Sequence, residues 1–205
     1  MISIDRRLIL LFALVISCFS AKAQSASEIV NRVLAAYRNS GGIEASYSVS
    51  SIQGSTSGKI AMLGDKFRIL SNDLCCWYDG SSLWTYSSLT GEVDITIPTE
   101  EELLTTSPYI AITDLQEAST MSLRTSGSNY IVTFSLNGRN SLSLTKVVMT
   151  ASSRYQILKA VFTLEHGESF TIDITNYVTG KNYKDSTFTF DKSLVPAGTE
   201  VIDLR

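Results

Sequence analysis

From Ile43 onward the chain is a succession of short strand-like runs separated by close turns, and this pattern decides most of what it can fold into. In "IEASYSVSS", Ile43, Ala45, Tyr47 and Val49 alternate with Glu44, Ser46, Ser48 and Ser50, the period of a strand with one buried face. The runs "GKIAML", "KFRIL", "LCCWY", "SLWTY" and "EVDITI" follow, separated by "GSTSG", "GD", "SND", "DG" and "LTG". Such spacing describes an antiparallel meander. Strands resume in "TMSLRTSG", "NYIVTFSLNG", "SLSLTKVVMT", "YQILKAVFTLEHG" and "ESFTIDITNYV", with turns at Gly127, Asn137-Gly138 and His166-Gly167. About eleven strands are expected, a mostly β (α+β) chain. So many sequential antiparallel strands must close, divide into two sheets, or curl into a partial barrel whose open side something else covers.

Two helical segments are the candidates for that cover. In "SASEIVNRVLAAYR", Ser25 and Glu28 form a capping-box pair, and Ile29, Val33, Leu34 and Tyr37 recur at helical spacing up to "NSGG", Asn39 to Gly42. The meander is broken at "PTEEELLTTSPYIAITDL", where Thr99 with Glu102 is a second capping box and Ser107-Pro108 a second helix start. The three glutamates, Glu100 to Glu102, suit the positive end of a helix dipole, so a solvated first turn explains them without a metal or catalytic role.

At 205 residues one domain with a full core is expected. It begins after residue 23. Arg6 and Arg7, the apolar run Leu8 to Phe19 and then "AKA", Ala21 to Ala23, have the form of a secretory signal peptide cleaved after Ala23. The apolar run is too short for a membrane span, which needs roughly 20 residues. The competing reading makes "VISC" a lipobox, with Cys18 lipidated. Residues 24–205 would carry 14 basic against 19 acidic side chains, which argues against a nucleic-acid partner.

Cys75 and Cys76 are then the only cysteines left, too few for a disulfide framework. They lack the two-residue spacer that lets reactive or metal-binding pairs converge. On a strand they point to opposite faces, one into the core and one away, as small apolar side chains. A strained vicinal disulfide is the alternative.

Catalytic constellations are missing. His166 is the only histidine and reads as a turn residue, and no "GxSxG" elbow or glycine-rich phosphate loop occurs. Asp79, Asp94, Asp173, Glu165 and Glu168 fall at turns or at outward positions. No enzyme activity, metal or cofactor is expected. Plentiful apolar residues on strands and on the central helical segment favour binding.

Five stretches resemble a known family, the periplasmic outer-membrane lipoprotein carriers, LolA. The opening helix leads into "IEASYS", and "GKIAMLGDKFRI" resembles the family's "K-F-R-W" hairpin. "YDGSSLWTYSSLTGEVDI" is similar to its "D-G-x-x-L-W-x-Y" element. "TTSPYIAI" stands where the family has a proline-led apolar helix, and "FTFDKSLVPAGTEVID" resembles its ending. The resemblance implies an incomplete antiparallel barrel with a helical lid, a monomer of one domain over 24–205, located in the periplasm. It implies lipoprotein acyl chains as ligand, an inner-membrane lipoprotein-releasing transporter as donor, and an outer-membrane acceptor. The family commonly has Arg-Pro just before "K-F-R", its arginine helping to fasten the lid. Leu63-Gly64 stand there in this chain, and Arg68 matches a different position.

On this basis the ligand-lining candidates are Phe67 and Ile69 on the hairpin, Leu103, Leu104, Tyr109, Ile110 and Ile112 on the lid, and Met121, Leu123 and Phe134 on the wall. The alternatives are a lipid- or lipoprotein-sensing module of the same fold, an exported hydrolase using a serine with His166, and a surface protein anchored through Cys18.

Overall fold

The computed structural model describes residues 24–137 and 143–205. The expected signal peptide, Cys18, and Gly138 of the expected Asn137-Gly138 turn lie outside the described residues. Helix α1 (Ala26–Arg38) precedes β1 (Ile43–Ser51), β2 (Gly54–Leu63), β3 (Lys66–Ser71), β4 (Leu74–Tyr78), β5 (Leu83–Ser87) and β6 (Glu92–Thr96). Helices α2 (Glu100–Thr106) and α3 (Pro108–Ala118) then lead to β7 (Ser119–Ser126), β8 (Asn129–Leu136), β9 (Leu144–Ala151), β10 (Ile157–Leu164) and β11 (Ser169–Thr179). Two short 3-10 turns, Asp185–Phe188 and Lys192–Leu194, precede β12 (Glu200–Asp203).

Among the described residues the strands form one sheet in the order β12-β6-β5-β4-β3-β2-β1-β11-β10-β9-β8-β7, with β7 and β12 as unpaired ends. It is a partial barrel that does not close. The two meanders are joined where β1 pairs with β11. One strand more is present than the eleven expected, because the chain ends in β12, which lies parallel to β6. The stretch "GSTSG", expected as a turn, is strand instead. The β1–β2 turn is Ile52-Gln53, and Gly54 to Ser57 continue the ladder opposite Ser48 to Ser51.

Buried side chains sort by face. On the inner face, α1 lays Ile29, Val30, Val33 and Leu34 against Val132 and Phe134 of β8 and Val147 and Met149 of β9, with Leu115 of α3 joining them. A second inner cluster gathers Ile43, Ile60, Met62, Phe67, Cys76, Tyr78 and Leu83, with Tyr37 of α1 and Leu103 of α2 packed on it. Ser25 caps α1 by accepting from the Glu28 amide, but the reciprocal half of the box is replaced. The Glu28 carboxylate instead pairs with Arg32 at 2.6 Å. The Thr99–Glu102 box of α2 forms in full.

The outer face of β3–β5 is covered as well, by the segment between β11 and β12. Phe190 packs edge-on against Trp77 with centroids 5.4 Å apart, and Phe188 is wholly buried beside Tyr183. Lys66 holds Asp185 at 2.7 Å, which lowers that carboxyl's pKa through the hydrogen bond and the charge. Gly42, at φ +108°, has no side chain because one would strike the Lys181 carbonyl where this segment leaves the sheet.

Both cysteines are therefore buried. The two thiols point to opposite faces, as expected: Cys76 is in the inner cluster, and Cys75 on the other face is covered in turn by the outer segment, with Trp77, Tyr86 and Val93 beside it. Both are free thiols.

Candidate functional site

Strand register separates inner from outer residues along the whole sheet. The sequence Phe134, Val147 and Phe162 crosses three neighbouring strands on one face, and Phe67, Tyr78 and Leu83 cross three others. Between the two packed clusters, the inner face of β10, β11 and β1 is only partly covered. Phe162 and Phe170 stand opposite each other and stack, centroids 4.6 Å apart and 5° from parallel. Ala160 and Val49 flank Ile172, and Tyr47 faces Ile174. All seven are half-buried, and Val49, Phe170 and Ile172 belong to neither cluster. This strip is a partly open apolar surface. At Gly58 any side chain would strike the Leu70 carbonyl and come within 2.7 Å of the Tyr47 hydroxyl, so the Tyr47 ring lies across this glycine.

The helices that border the strip are fastened through one tyrosine. Tyr109 of α3 stacks on Tyr37 of α1, centroids 4.9 Å apart, and its hydroxyl accepts from Arg38 Nε at 2.6 Å. The Tyr37 hydroxyl donates to the Gly64 carbonyl in the β2–β3 turn at 2.6 Å. Burial, with Asp65 nearby, pushes the Tyr37 phenol well above its ordinary range, so it remains a donor. Gln116 adds a second tie, donating to Asn31 at 3.0 Å. Ser107 ends α2 and caps α3 at once, an abrupt joint between the two lid helices.

The ten expected ligand residues fall on either side of the strip. Phe67 and Phe134 are enclosed within the clusters. Ile69 and Leu103 pack at the margin of one cluster, and Tyr109, Ile112, Met121 and Leu123 at the margin of the other. Leu104 and Ile110 are half-buried and belong to neither. The strip residues themselves were not singled out in the sequence, although "YSVSS" and "FTIDIT" show their alternation. Arg68 lies on the outer face, opposite Trp77, and is remote from the lid.

No group of three or more potential metal ligands occurs among the described residues. His166 is exposed in the β10–β11 turn. Asp94, expected to point outward, lies on the inner face opposite Thr85, because Val93 is the residue covered on the outside. Asp173 does point outward and pairs with Lys159 at 3.2 Å. No described helix is long and apolar enough to cross a membrane.

A family model described as outer membrane lipoprotein carrier protein LolA matches residues 16–166. An uncharacterized conserved protein from Thermus thermophilus is similar at TM-score 0.60 and 14% identity, over 87% of this chain and 98% of that one. That likeness is one of fold. A DUF1329 family protein from Desulfovibrio piger gives TM-score 0.45 and 12% identity over 83% and 98% of the two chains. The MucA/MucB complex of Pseudomonas aeruginosa gives 0.46 and 12%, over 83% of this chain and 62% of that one. A search of curated proteins finds no match.

Proposed function

Because the chain belongs to the LolA family of outer membrane lipoprotein carrier proteins, we propose that it carries lipoprotein acyl chains across the periplasm on the inner face of its open sheet. The family is a periplasmic binding and carrier family. The observation that supports the reading is the half-buried apolar strip on β10, β11 and β1, bordered by a helical lid. Each methylene withdrawn from water contributes roughly 0.8 kcal/mol, so a continuous apolar surface suffices and no directional bond to the chain is needed.

An acyl chain first meets Phe162, Phe170 and Ile172 on the strip. To lie fully enclosed it displaces α2 and α3, which breaks the Tyr109 contacts with Tyr37 and Arg38. The lid then offers Leu103, Leu104, Tyr109, Ile110 and Ile112, and the sheet offers Phe67, Ile69, Met121, Leu123 and Phe134. The polar ties of Tyr109 take the place of the arginine that the family carries before its "K-F-R" strand. Without ATP in the periplasm, release follows from an acceptor that binds the acyl chains more tightly. Loading from an inner-membrane lipoprotein-releasing transporter and delivery to an outer-membrane acceptor complete the route. Residues 1–23 act as the cleaved signal peptide, and residues 24–205 work as a single monomeric domain.

Mass spectrometry of lipids and lipoproteins that co-purify with the protein, together with titration by a fluorescent fatty acid, tests this. Acylated species and saturable probe binding are expected. Their joint absence would sink the carrier reading.

A further inference from the structure

We propose that the rim of the sheet formed by the β1–β2, β3–β4 and β5–β6 turns docks on a zwitterionic lipid bilayer. Strand direction places these three turns at one end of the sheet, opposite the end where Tyr37 meets Gly64. Their tips carry aliphatic side chains where turns ordinarily carry polar residues or glycine: Ile52 is 80% exposed, Leu89 95% and Leu74 40%. None of the turns at the opposite end, Gly64-Asp65, Asp79 to Ser82, Gly127-Ser128 and Ser152 to Gln156, exposes a large aliphatic side chain. Ile97, Val178 and Leu204 are exposed towards that opposite end, but at strand ends rather than in hairpin turns, so aliphatic hairpin tips distinguish the end away from Gly64.

Shape and charge favour a bilayer over a protein partner. Ser71 of β3 pairs with Gly58, so the β1–β2 hairpin runs four residues beyond it, about 13 Å farther out. A polar notch lined by Ser48, Ser55, Ser57, Asn72 and Asp73 lies between the tips. Tips at different heights across a polar notch do not make the contiguous patch of about 800 Å² that a stable protein interface needs. A bilayer needs no contiguous patch: the protruding β1–β2 hairpin meets it first, and tilting of the sheet brings the β5–β6 tip to the same surface, each aliphatic side chain entering separately. Residues 51–54, 71–74 and 87–92 contain no lysine or arginine but do contain Asp73 and Glu92, so uncharged headgroups are preferred over anionic ones. Val49, three residues from Ile52, faces Ile172 on the inner strip, which makes the docked rim continuous with the apolar face. That last consequence rests on the acyl-chain reading; the docking itself does not.

Flotation of the purified protein with phosphatidylcholine vesicles, and with vesicles containing added phosphatidylglycerol, tests the proposal beside Ile52→Ser, Leu89→Ser, the double variant and a control, Ile97→Ser. Ile97 is also exposed, at 67%, but follows β6 at the other end of the strands. The wild type should float with phosphatidylcholine, each tip variant should partition about tenfold less, and the double variant should remain unbound. Ile97→Ser should behave as wild type, and all variants should keep their melting temperature. Failure of the wild type to float, undiminished flotation of the double variant, or preference for the anionic vesicles would overturn the proposal. Fatty-acid probe titration of the same proteins in solution separates the two ideas. Flotation without probe binding leaves docking standing and removes the acyl-chain reading, whereas probe binding without flotation does the reverse.

Discussion

Tyr37 and Tyr109, far apart in sequence, stack with ring centroids 4.9 Å apart and planes 25° from parallel, so that the end of α1 holds the start of α3. Arg38 strengthens the contact from beside it, its guanidinium 5.4 Å from the Tyr109 ring centre. Tyr109→Phe keeps the stack and removes the hydroxyl that accepts from Arg38. Association of a fluorescent fatty acid, followed by stopped flow, should quicken about fivefold, a modest gain because the bond is exposed to water. Tyr109→Ala should be faster still. Identical rates for Tyr109→Phe and wild type would show that the Arg38 contact does not restrain the lid.

Ile110 is half-buried on α3 and packs in neither cluster. Ile110→Asp sets a carboxylate against acyl chains, a desolvation cost of several kcal/mol, so probe affinity should drop by more than about tenfold. Glu101→Lys, on the exposed first turn of α2, should hardly alter the same titration. If folded Ile110→Asp binds the probe as tightly as wild type, α3 is not part of the ligand surface.

Phe134 and Phe170 separate core from site. Phe134 is wholly buried, and its change to alanine should cost about 3–5 kcal/mol of stability by urea unfolding. Phe170, half-buried on the strip, should cost less stability on the same change yet lower probe affinity several-fold. A Phe170→Ala protein with full probe affinity would move the ligand away from the strip.

Burial pushes the Cys76 thiol from 9 up to about 11, so the folded protein keeps its proton where the unfolded chain has lost it. A raised pKa of this kind stabilises fully below about pH 9, and the contribution is lost as pH climbs through 11. The corresponding free energy is roughly 2–3 kcal/mol. Tyr177 and Tyr183, both raised to about 12 by burial, steepen the decline further up the scale. Melting temperature should therefore fall from pH 9 upward, and Cys76→Val should flatten the curve between 9 and 11. Parallel curves for the two proteins would show that the thiol does not titrate with unfolding.

His166 is exposed in a turn. His166→Ala should leave probe binding and melting temperature as they are. Loss of function in the folded variant would restore the hydrolase reading.

Local pattern carried most of the fold. Alternation in "IEASYSVSS" and the caps at Ser25, Thr99 and Ser107 were readable because neighbouring residues alone decide them. β12 was not, since four residues paired in parallel leave no turn signal beside the partner strand. Gly54 to Ser57 looked like a turn by composition, and cross-strand pairing with β1 overrode it. The outward parity given to Asp94 failed because a distant segment covers the outer face, which makes Val93 a core residue there and buries the outward-facing Cys75 as well. Site residues on the lid could be named from apolar helical stretches. The strip could not, because choosing it requires knowing that β11 returns to pair with β1.

The outer covering of β3–β5 comes from residues 183–195, and the outer side of β6 is paired only by β12. A chain that emerges amino end first has β1 to β6 at hand long before these parts arrive. During that interval Trp77 and Val93 lie bare and both β1 and β6 present open edges, the condition in which strands pair with the wrong neighbour. Maturation is thus timed by the tail: the first meander waits for the last residues to close over it, and a holding chaperone acting before that moment would protect this half of the molecule more than the other.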